Sequence, residues 1–161
     1  MMTHSSFPAT RRLVLQGIGS VALIGLDALS PAPARAAAND KYPEDAFKQK
    51  SDADAIKSLY GKAAEASDKV KLDAPEIAEN GAVVPVSVTT TLPSVTSISF
   101  FVSENPNALA ASYVIVEGTV PSVANRLKMQ KTSNVIAIVE SEGKLFSAAK
   151  EVKVTVGGCG G

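Results

Sequence analysis

The sequence predicts a mainly β protein: an antiparallel, immunoglobulin-like β-sandwich that follows one short α-helix and ends in a flexible glycine-rich tail. From residue 68 onward, apolar and polar residues alternate with a period of two in seven short stretches, the pattern of strands with one buried face. Turn-forming pairs such as Asn80-Gly81 and Glu142-Gly143 separate these stretches, and no helical pattern stands between them. Seven short strands without intervening helices are typical of a sandwich, although the Cys–Trp–Cys core of antibody domains is absent.

The first 36 residues have the features of an export signal. Arg11 and Arg12 precede a short apolar run, and a proline-rich segment with small residues leads to Ala36. An arginine pair before apolar residues is typical of twin-arginine signals, which export folded proteins. A membrane anchor fits less well, because glycines and Asp27 interrupt a run that is short for a spanning helix. We therefore expect residues 1–36 to be cleaved off and the mature protein to lie in the periplasm, away from the membrane.

Removal of this signal changes the charge of the chain. The full sequence has 16 basic and 16 acidic residues, and residues 1–36 hold three of the former and one of the latter, so the mature charge is 13 − 15 = −2. The mature chain also loses His4, the only histidine. A slightly acidic chain without a basic run lacks the positive surface that nucleic acids require, so nucleic acid is excluded as a partner.

Residues 37–50 are polar and charged, and we expect them to form a flexible lead-in to a folded domain at 51–156. The domain begins with a capping-box-like pattern, in which Ser51 is the N-cap and Asp54 stands three residues on. Apolar residues then follow at helical spacing: Ile56, Leu59, Tyr60 and Ala63. This pattern predicts one short helix at about 52–60.

The alternating stretches predict the strands of the sandwich. The predicted ranges are 68–74, 82–91, 95–103, 111–117, 121–131, 134–141 and 144–156. In the fourth of these, Val114 and Val116 carry the apolar face. Pro85 is expected at an edge or a bulge, because proline has no N–H to donate to a neighbouring strand.

Most kinds of catalytic site are excluded because their residues are missing. Without a histidine, the mature chain has no Ser-His-Asp or Cys-His arrangement. One thiol and one mature methionine, Met129, are too few for the usual zinc and copper sites, and no glycine-rich phosphate loop joins a strand to a helix. The carboxylates are scattered as on a solvated surface, which does not favour a glycosidase pair. We predict no catalytic residue, no metal site and no cofactor.

The remaining candidate is the C-terminal tail, residues 157–161. Its Cys159, the only cysteine of the chain, stands between the pairs Gly157-Gly158 and Gly160-Gly161. Fully extended, the tail places Cys159 about 10 Å beyond the last predicted strand residue. No neighbouring histidine, lysine or arginine lowers the pKa of this thiol, so it is poorly suited to catalysis and well suited to carrying a group on a swinging arm.

Two other interpretations of the tail stay open. An exported interaction or scaffold module would use Cys159 for an intermolecular disulfide. A carrier that uses the terminal Gly160-Gly161 carboxylate would depend on ATP, which an exported protein does not meet. Alkylation of the thiol separates the last alternative from a thiol carrier, because it abolishes only the thiol-dependent activity.

Two stretches resemble the SoxY family, the sulfur carriers of bacterial thiosulfate oxidation. They are LDAPEIAENGAVVPV at 72–86 and KEVKVTVGGCGG at 150–161. The resemblance implies that Cys159 binds thiosulfate-derived sulfur covalently and that the chain pairs with a SoxZ-like subunit. It also implies that partner enzymes act on the carrier: a c-type cytochrome enzyme, a sulfate-releasing hydrolase and, where present, a sulfane dehydrogenase. The carrier itself is then not an enzyme.

Overall fold

A computed structural model describes residues 42–155 of the chain. Within this range two helices come first: α1 at Glu44–Phe47 and α2 at Asp52–Tyr60. The backbone N–H of Asp54 donates to Ser51 Oγ at 3.4 Å, so the predicted N-cap and the predicted helix range are both confirmed. Gly61 ends α2 with a left-handed φ of 70°, and its N–H donates to the carbonyl of Lys57 at 2.8 Å.

Helix α1 differs from the predicted flexible lead-in at 37–50 over the residues of it that the structure describes, 42–50. Ala46 of α1 is buried, and it packs in one apolar cluster with Ala55 of α2 and with Phe101. The N–H of Ala108 donates to the carbonyl of Gln49 at 2.9 Å, which ties the end of the segment to the domain. The polar composition of this segment gives no sign that Ala46 is buried, and the packing of Ala46 together with the Gln49 hydrogen bond attaches residues 44–49 to the domain.

Nine strands follow the helices in the part of the chain that the structure describes. They are β1 (Glu65–Ala66), β2 (Val70–Asp73), β3 (Ile77–Ala78), β4 (Val84–Thr90), β5 (Val95–Val102), β6 (Leu109–Val114), β7 (Ser122–Leu127), β8 (Ser133–Ser141) and β9 (Lys144–Val154). All seven predicted strands are confirmed, as β2 and β4 to β9. The two-residue strands β1 and β3 were not predicted, because two residues are too few to show an alternation.

The strands form two sheets that share one core. The larger sheet has the order β1-β9-β8-β5-β6, with β3 also paired to β9, and the smaller has the order β2-β4-β7. Alternate residues of both sheets are buried in the same cluster, among them Val86 of β4, Phe100 of β5 and Val152 of β9. Helix α2 packs on the other side of the larger sheet, where Phe101 and Ile138 form the second cluster. The mainly β fold with a short helix is therefore confirmed, and the immunoglobulin-like arrangement stays a prediction.

The structure differs from the predicted sandwich in three details. Strands β1 and β3 run parallel to β9, so the pairing is not antiparallel throughout. Val114 and Val116 were predicted to be buried but are 85% and 68% exposed, because β6 is the edge strand and ends at Val114. Pro85 lies in β4, the middle strand of its sheet, but beyond the end of β2, where β4 pairs with β7 alone. On the side of β4 that faces β2, no strand lies opposite Pro85, so no backbone N–H is needed there.

Several predictions lie outside the described residues. These are the export signal at 1–36 with Arg11 and Arg12, and the tail at 157–161 with Cys159 and its four glycines. Within residues 42–155, neither helix has the length and apolar character needed to cross a membrane.

Candidate functional site

The last strand, β9, carries the chain toward the predicted site at Cys159. It is the longest strand, with eleven residues from Lys144 to Val154, and it pairs with β8 over most of that length, from Lys144 to Val152. Val152, near its end, is fully buried in the core. The strand that leads to the tail is thus part of the rigid interior of the larger sheet.

The outer side of β9 is held by the segment that contains β3. The N–H of Lys153 donates to the carbonyl of Glu76 at 2.9 Å, and the N–H of Thr155 donates to the carbonyl of Ala78 at 3.1 Å. Lys150 Nζ donates to the carbonyl of Ala74 further back along the strand. These bonds attach β9 to residues 74–78 on the side that β8 leaves open.

Two threonine hydroxyls complete the attachment at the end of β9. Thr132 Oγ1 accepts from the N–H of Val154 at 3.0 Å, and Thr155 Oγ1 donates to the carbonyl of Glu79 at 3.3 Å. The backbone is therefore hydrogen-bonded up to Thr155, four positions before Cys159. The contribution of β3, Thr132 and Thr155 was missed from sequence, because single polar residues in loops give no periodic signal.

Two groups with perturbed pKa values, Tyr60 and Glu140, lie at the other end of β9. Burial raises the pKa of the Tyr60 phenol, whose Oη lies 2.7 Å from Ser99 Oγ and 3.0 Å from Ser97 Oγ. For Glu140, burial acts to raise the pKa, but the hydrogen bond from Lys62 Nζ at 3.1 Å contributes to a net lowering. Glu140 pairs with β9 beside the β8–β9 turn, whereas the chain leaves β9 at the opposite end. This polar cluster is therefore remote from the tail.

The part of the chain that the structure describes holds little chemistry of its own. No group of three or more histidine, cysteine, aspartate or glutamate side chains within residues 42–155 is placed to bind a metal. The only histidine and the only cysteine of the sequence, His4 and Cys159, both lie outside that range. Residues 42–155 provide a hydrogen-bonded support whose last strand, β9, ends five positions before Cys159 in the sequence.

Two open grooves mark the surface of this support. A groove of about 700 Å³ crosses the outer face of the smaller sheet, between Asp73 and Arg126, over Pro85 and Ala124. A cleft of about 520 Å³ lies between the edge strands β6 and β7 and includes Asn105 and Lys128. The cleft is at the end of the domain where β9 finishes, because Asn105 lies in the loop after β5 and its neighbour Glu104 bonds to the start of β8.

Comparisons with known proteins identify relatives of this fold. The family model described as sulfur oxidation protein SoxY matches residues 56–159, a range that includes Cys159. The structure is similar to that of the sulfur carrier protein SoxY from Chlorobium limicola f thiosulfatophilum, with 42% sequence identity and a TM-score of 0.59. That match covers 65% of this chain and 96% of the other. No curated protein matches the chain.

A second solved structure is a more distant match. It is a superoxide reductase (neelaredoxin) from Ignicoccus hospitalis, with 21% identity and a TM-score of 0.48, covering 53% of this chain and 79% of the other.

Proposed function

Since the chain belongs to the SoxY family of sulfur oxidation proteins, we propose that it holds thiosulfate-derived sulfur covalently on Cys159 and presents it to partner enzymes in the periplasm. Its general role is that of a sulfur carrier in sulfur oxidation. The observation that carries the proposal is the extent of the family match, which reaches residue 159 and thus includes the only thiol of the chain.

The loading step needs an oxidant. The Cys159 thiolate and the sulfane sulfur of thiosulfate form an S–S bond, which yields Cys–S–S–SO₃⁻ and releases two electrons. A partner enzyme of the c-type cytochrome class accepts these electrons. A hydrolase then adds water to the terminal sulfonate, which leaves as sulfate, two protons are released, and Cys159 keeps a persulfide. A sulfane dehydrogenase, where present, oxidises the sulfur that remains.

The attachment of β9 supports the arm in this proposal. The backbone is fixed at Thr155, and four residues span at most about 14 Å, which limits how far Cys159 extends from the domain. Bare glycines on both sides keep the tail narrow enough to enter the channel of an enzyme. Because residues 42–155 hold no histidine to activate the thiol, activation falls to the enzyme that receives it.

We also propose export through the twin-arginine pathway and pairing with a SoxZ-like subunit. Exposed valines near the connection from β6 to β7 offer an apolar surface for that subunit: Val114, Val116 and Val120 are 85%, 68% and 81% exposed. Val116→Lys should weaken co-purification with the subunit. The matched control is Val83→Lys, at an exposed valine in another loop, and an equal loss in both variants contradicts this choice of surface.

Mass spectrometry tests the covalent attachment. The mature protein is incubated with thiosulfate and the partner cytochrome enzyme, and the C-terminal peptide is expected to gain one thiosulfonate group. Cys159→Ser should fold normally and gain nothing. A second control moves the thiol to a rigid strand by combining Cys159→Ser with Ser122→Cys on the exposed face of β7, which should leave enzymatic loading near the background level. If the unmodified protein gives only a reducible dimer and no adduct, the disulfide scaffold is the better explanation.

A further inference from the structure

Strand β6 forms an open edge of the larger sheet. It pairs with β5 on one side, and no strand within residues 42–155 pairs with its other side. The N–H of Ile115 donates to the carbonyl of Thr96 at 2.9 Å, so residue 115 directs its backbone groups toward β5. Because these directions alternate along an antiparallel strand, the N–H groups of Ser112 and Val114 face the open side. The edge of β6 thus presents donors and acceptors that no strand of the described domain pairs.

The edge of β6 lacks the charges that usually protect such strands. Natural proteins place charged residues or prolines on open edges, because these block pairing with another chain. The other edge strands follow this rule, since β2 has Lys71 and Asp73 and β7 has Arg126. Residues 105–116 include no aspartate, glutamate, lysine or arginine. The register shift of the β5–β6 pair lies at Phe100/Phe101 and leaves residues 111–114 in regular pairing, so β6 is a suitable template for another strand.

The surface that follows β6 is apolar as well. Val114 ends the strand, Val116 and Val120 lie in the connection to β7, and all three valines are exposed. Alternating backbone donors and acceptors beside uncharged, apolar side chains are complementary to an extended, uncharged strand of another protein. A charged ligand would find no opposite charge on this edge.

A second copy of this chain fits the edge poorly. Two β6 strands paired antiparallel over their full length would place Val114 opposite Leu109 and Val116 opposite Asn107. The exposed valines of one copy would then face the polar loop after β5 of the other copy. Asn105 of that loop is already engaged, because its side chain bonds to the carbonyl of Lys128 at 2.7 Å. A different strand, flanked by apolar residues at the matching end, would cover the valines better.

We infer that β6 pairs with an edge strand of the SoxZ-like subunit, so that the larger sheet continues from one subunit into the other. The inference rests on the proposed function and specifies how the proposed pairing takes place. Backbone hydrogen bonds from Ser112 and Val114 fix the register of the two strands, and the exposed valines pack on apolar residues of the subunit. The valines lie at the end of the sheet where β9 begins, opposite to the end where it finishes. The subunit therefore leaves the end of β9 accessible to an enzyme.

Hydrogen exchange tests this pairing without any loading of Cys159. The amides of the ¹⁵N-labelled mature chain are followed by NMR, alone and in the complex with the purified SoxZ-like subunit. The amides of Ser112 and Val114 should exchange at least about a hundredfold more slowly in the complex. The amide of Leu72, on the open edge of β2, should exchange at the same rate in both samples.

A pair of variants at one position separates backbone pairing from side-chain packing. Val114→Pro removes an N–H that faces the open side, and proline is tolerated at such an edge position, so the domain should fold. It should bind the subunit about tenfold more weakly in isothermal titration calorimetry, because backbone hydrogen bonds are lost. Val114→Thr keeps both the N–H and the branched side chain and should bind like the unmodified chain. If Val114→Pro fails to fold, the exchange rates of the unmodified complex still decide the question.

Several results would overturn the inference. These are equal binding by folded Val114→Pro and the unmodified chain, a complex in which the β6 amides exchange as in the free chain, or the absence of any complex. Protection of the same amides in the chain alone, rising with its concentration, would assign the edge to a second copy instead. None of these results alters the test of sulfur loading on Cys159, which is measured separately by mass.

Discussion

The claim that β9 is a rigid support for the arm predicts the effect of Val152→Ala. Val152 is fully buried, so the change removes two carbon groups from the core. At about 0.8 kcal/mol for each buried carbon group, with a further cost for the cavity, the free energy of unfolding should fall by about 2 kcal/mol. For a domain of this size, that corresponds to a fall in melting temperature of roughly 8 °C. Thermal unfolding of the reduced protein, followed by circular dichroism, measures it.

The neighbouring residue supplies the control for this prediction. Lys153 is exposed, and Lys153→Ala should change the melting temperature little. Below the transition, both variants should react with tetrathionate at the same rate as the unmodified protein, because the thiol lies beyond the last residue that the domain holds. Equal stability of the two variants would refute the burial of this strand end. A changed thiol reactivity in folded Val152→Ala would refute the independence of the arm from the core.

Three further predictions concern the attachment of β9, the helix and the tail. Thr132→Val removes the acceptor for the N–H of Val154. Because one hydrogen bond contributes about 1 kcal/mol to the free energy of opening, hydrogen exchange of that amide should become about five- to tenfold faster. Unchanged exchange would contradict the bond. Because burial raises the pKa of Tyr60 above its unfolded value of about 10, its contribution to stability is present below that pH and is lost as the pH rises through the folded pKa. Tyr60→Phe loses the hydrogen bonds to Ser97 and Ser99 and should be less stable at pH 8. Between pH 9.5 and 11 this variant should lose less stability than the unmodified protein, as measured by urea denaturation. Parallel losses in the two proteins would argue against the burial effect. Gly157→Val combined with Gly158→Val should slow enzymatic loading at least tenfold without lowering the melting temperature, and an unchanged rate would mean that the tail does not enter an enzyme channel.

Much of the fold could be predicted because its strands are long enough to show a period. Val84, Val86 and Val88 alternate with Pro85 and Ser87, and all three valines are buried as that alternation requires. Ser51 and Asp54 similarly marked the start of α2. Each of these signals is local, since it depends on the side-chain direction of one element.

The remaining features depend on contacts between distant parts of the chain. The burial of Ala46 results from packing against α2 and β5, and nothing in its own neighbourhood indicates it. The parallel pairing of Ile77 with Lys153 joins positions 76 residues apart. Val114 follows the alternation but is exposed, because β6 is an edge strand and periodicity does not report where a sheet ends.

The candidate site was predicted by composition rather than by geometry. Cys159 is notable because it is the only thiol and stands among glycines, and both facts can be seen in the sequence alone. The attachment of β9 through Thr132 and Thr155 became visible only when the loops were brought together in space.

Cys159 is the residue that we propose carries the sulfur. The most direct test is the mass of the C-terminal peptide after the mature protein has been incubated with thiosulfate and the partner cytochrome enzyme. One thiosulfonate group is expected on this peptide, removable by reductant and absent in Cys159→Ser. An unmodified peptide under conditions where thiosulfate is consumed, or full turnover with Cys159→Ser, would contradict it.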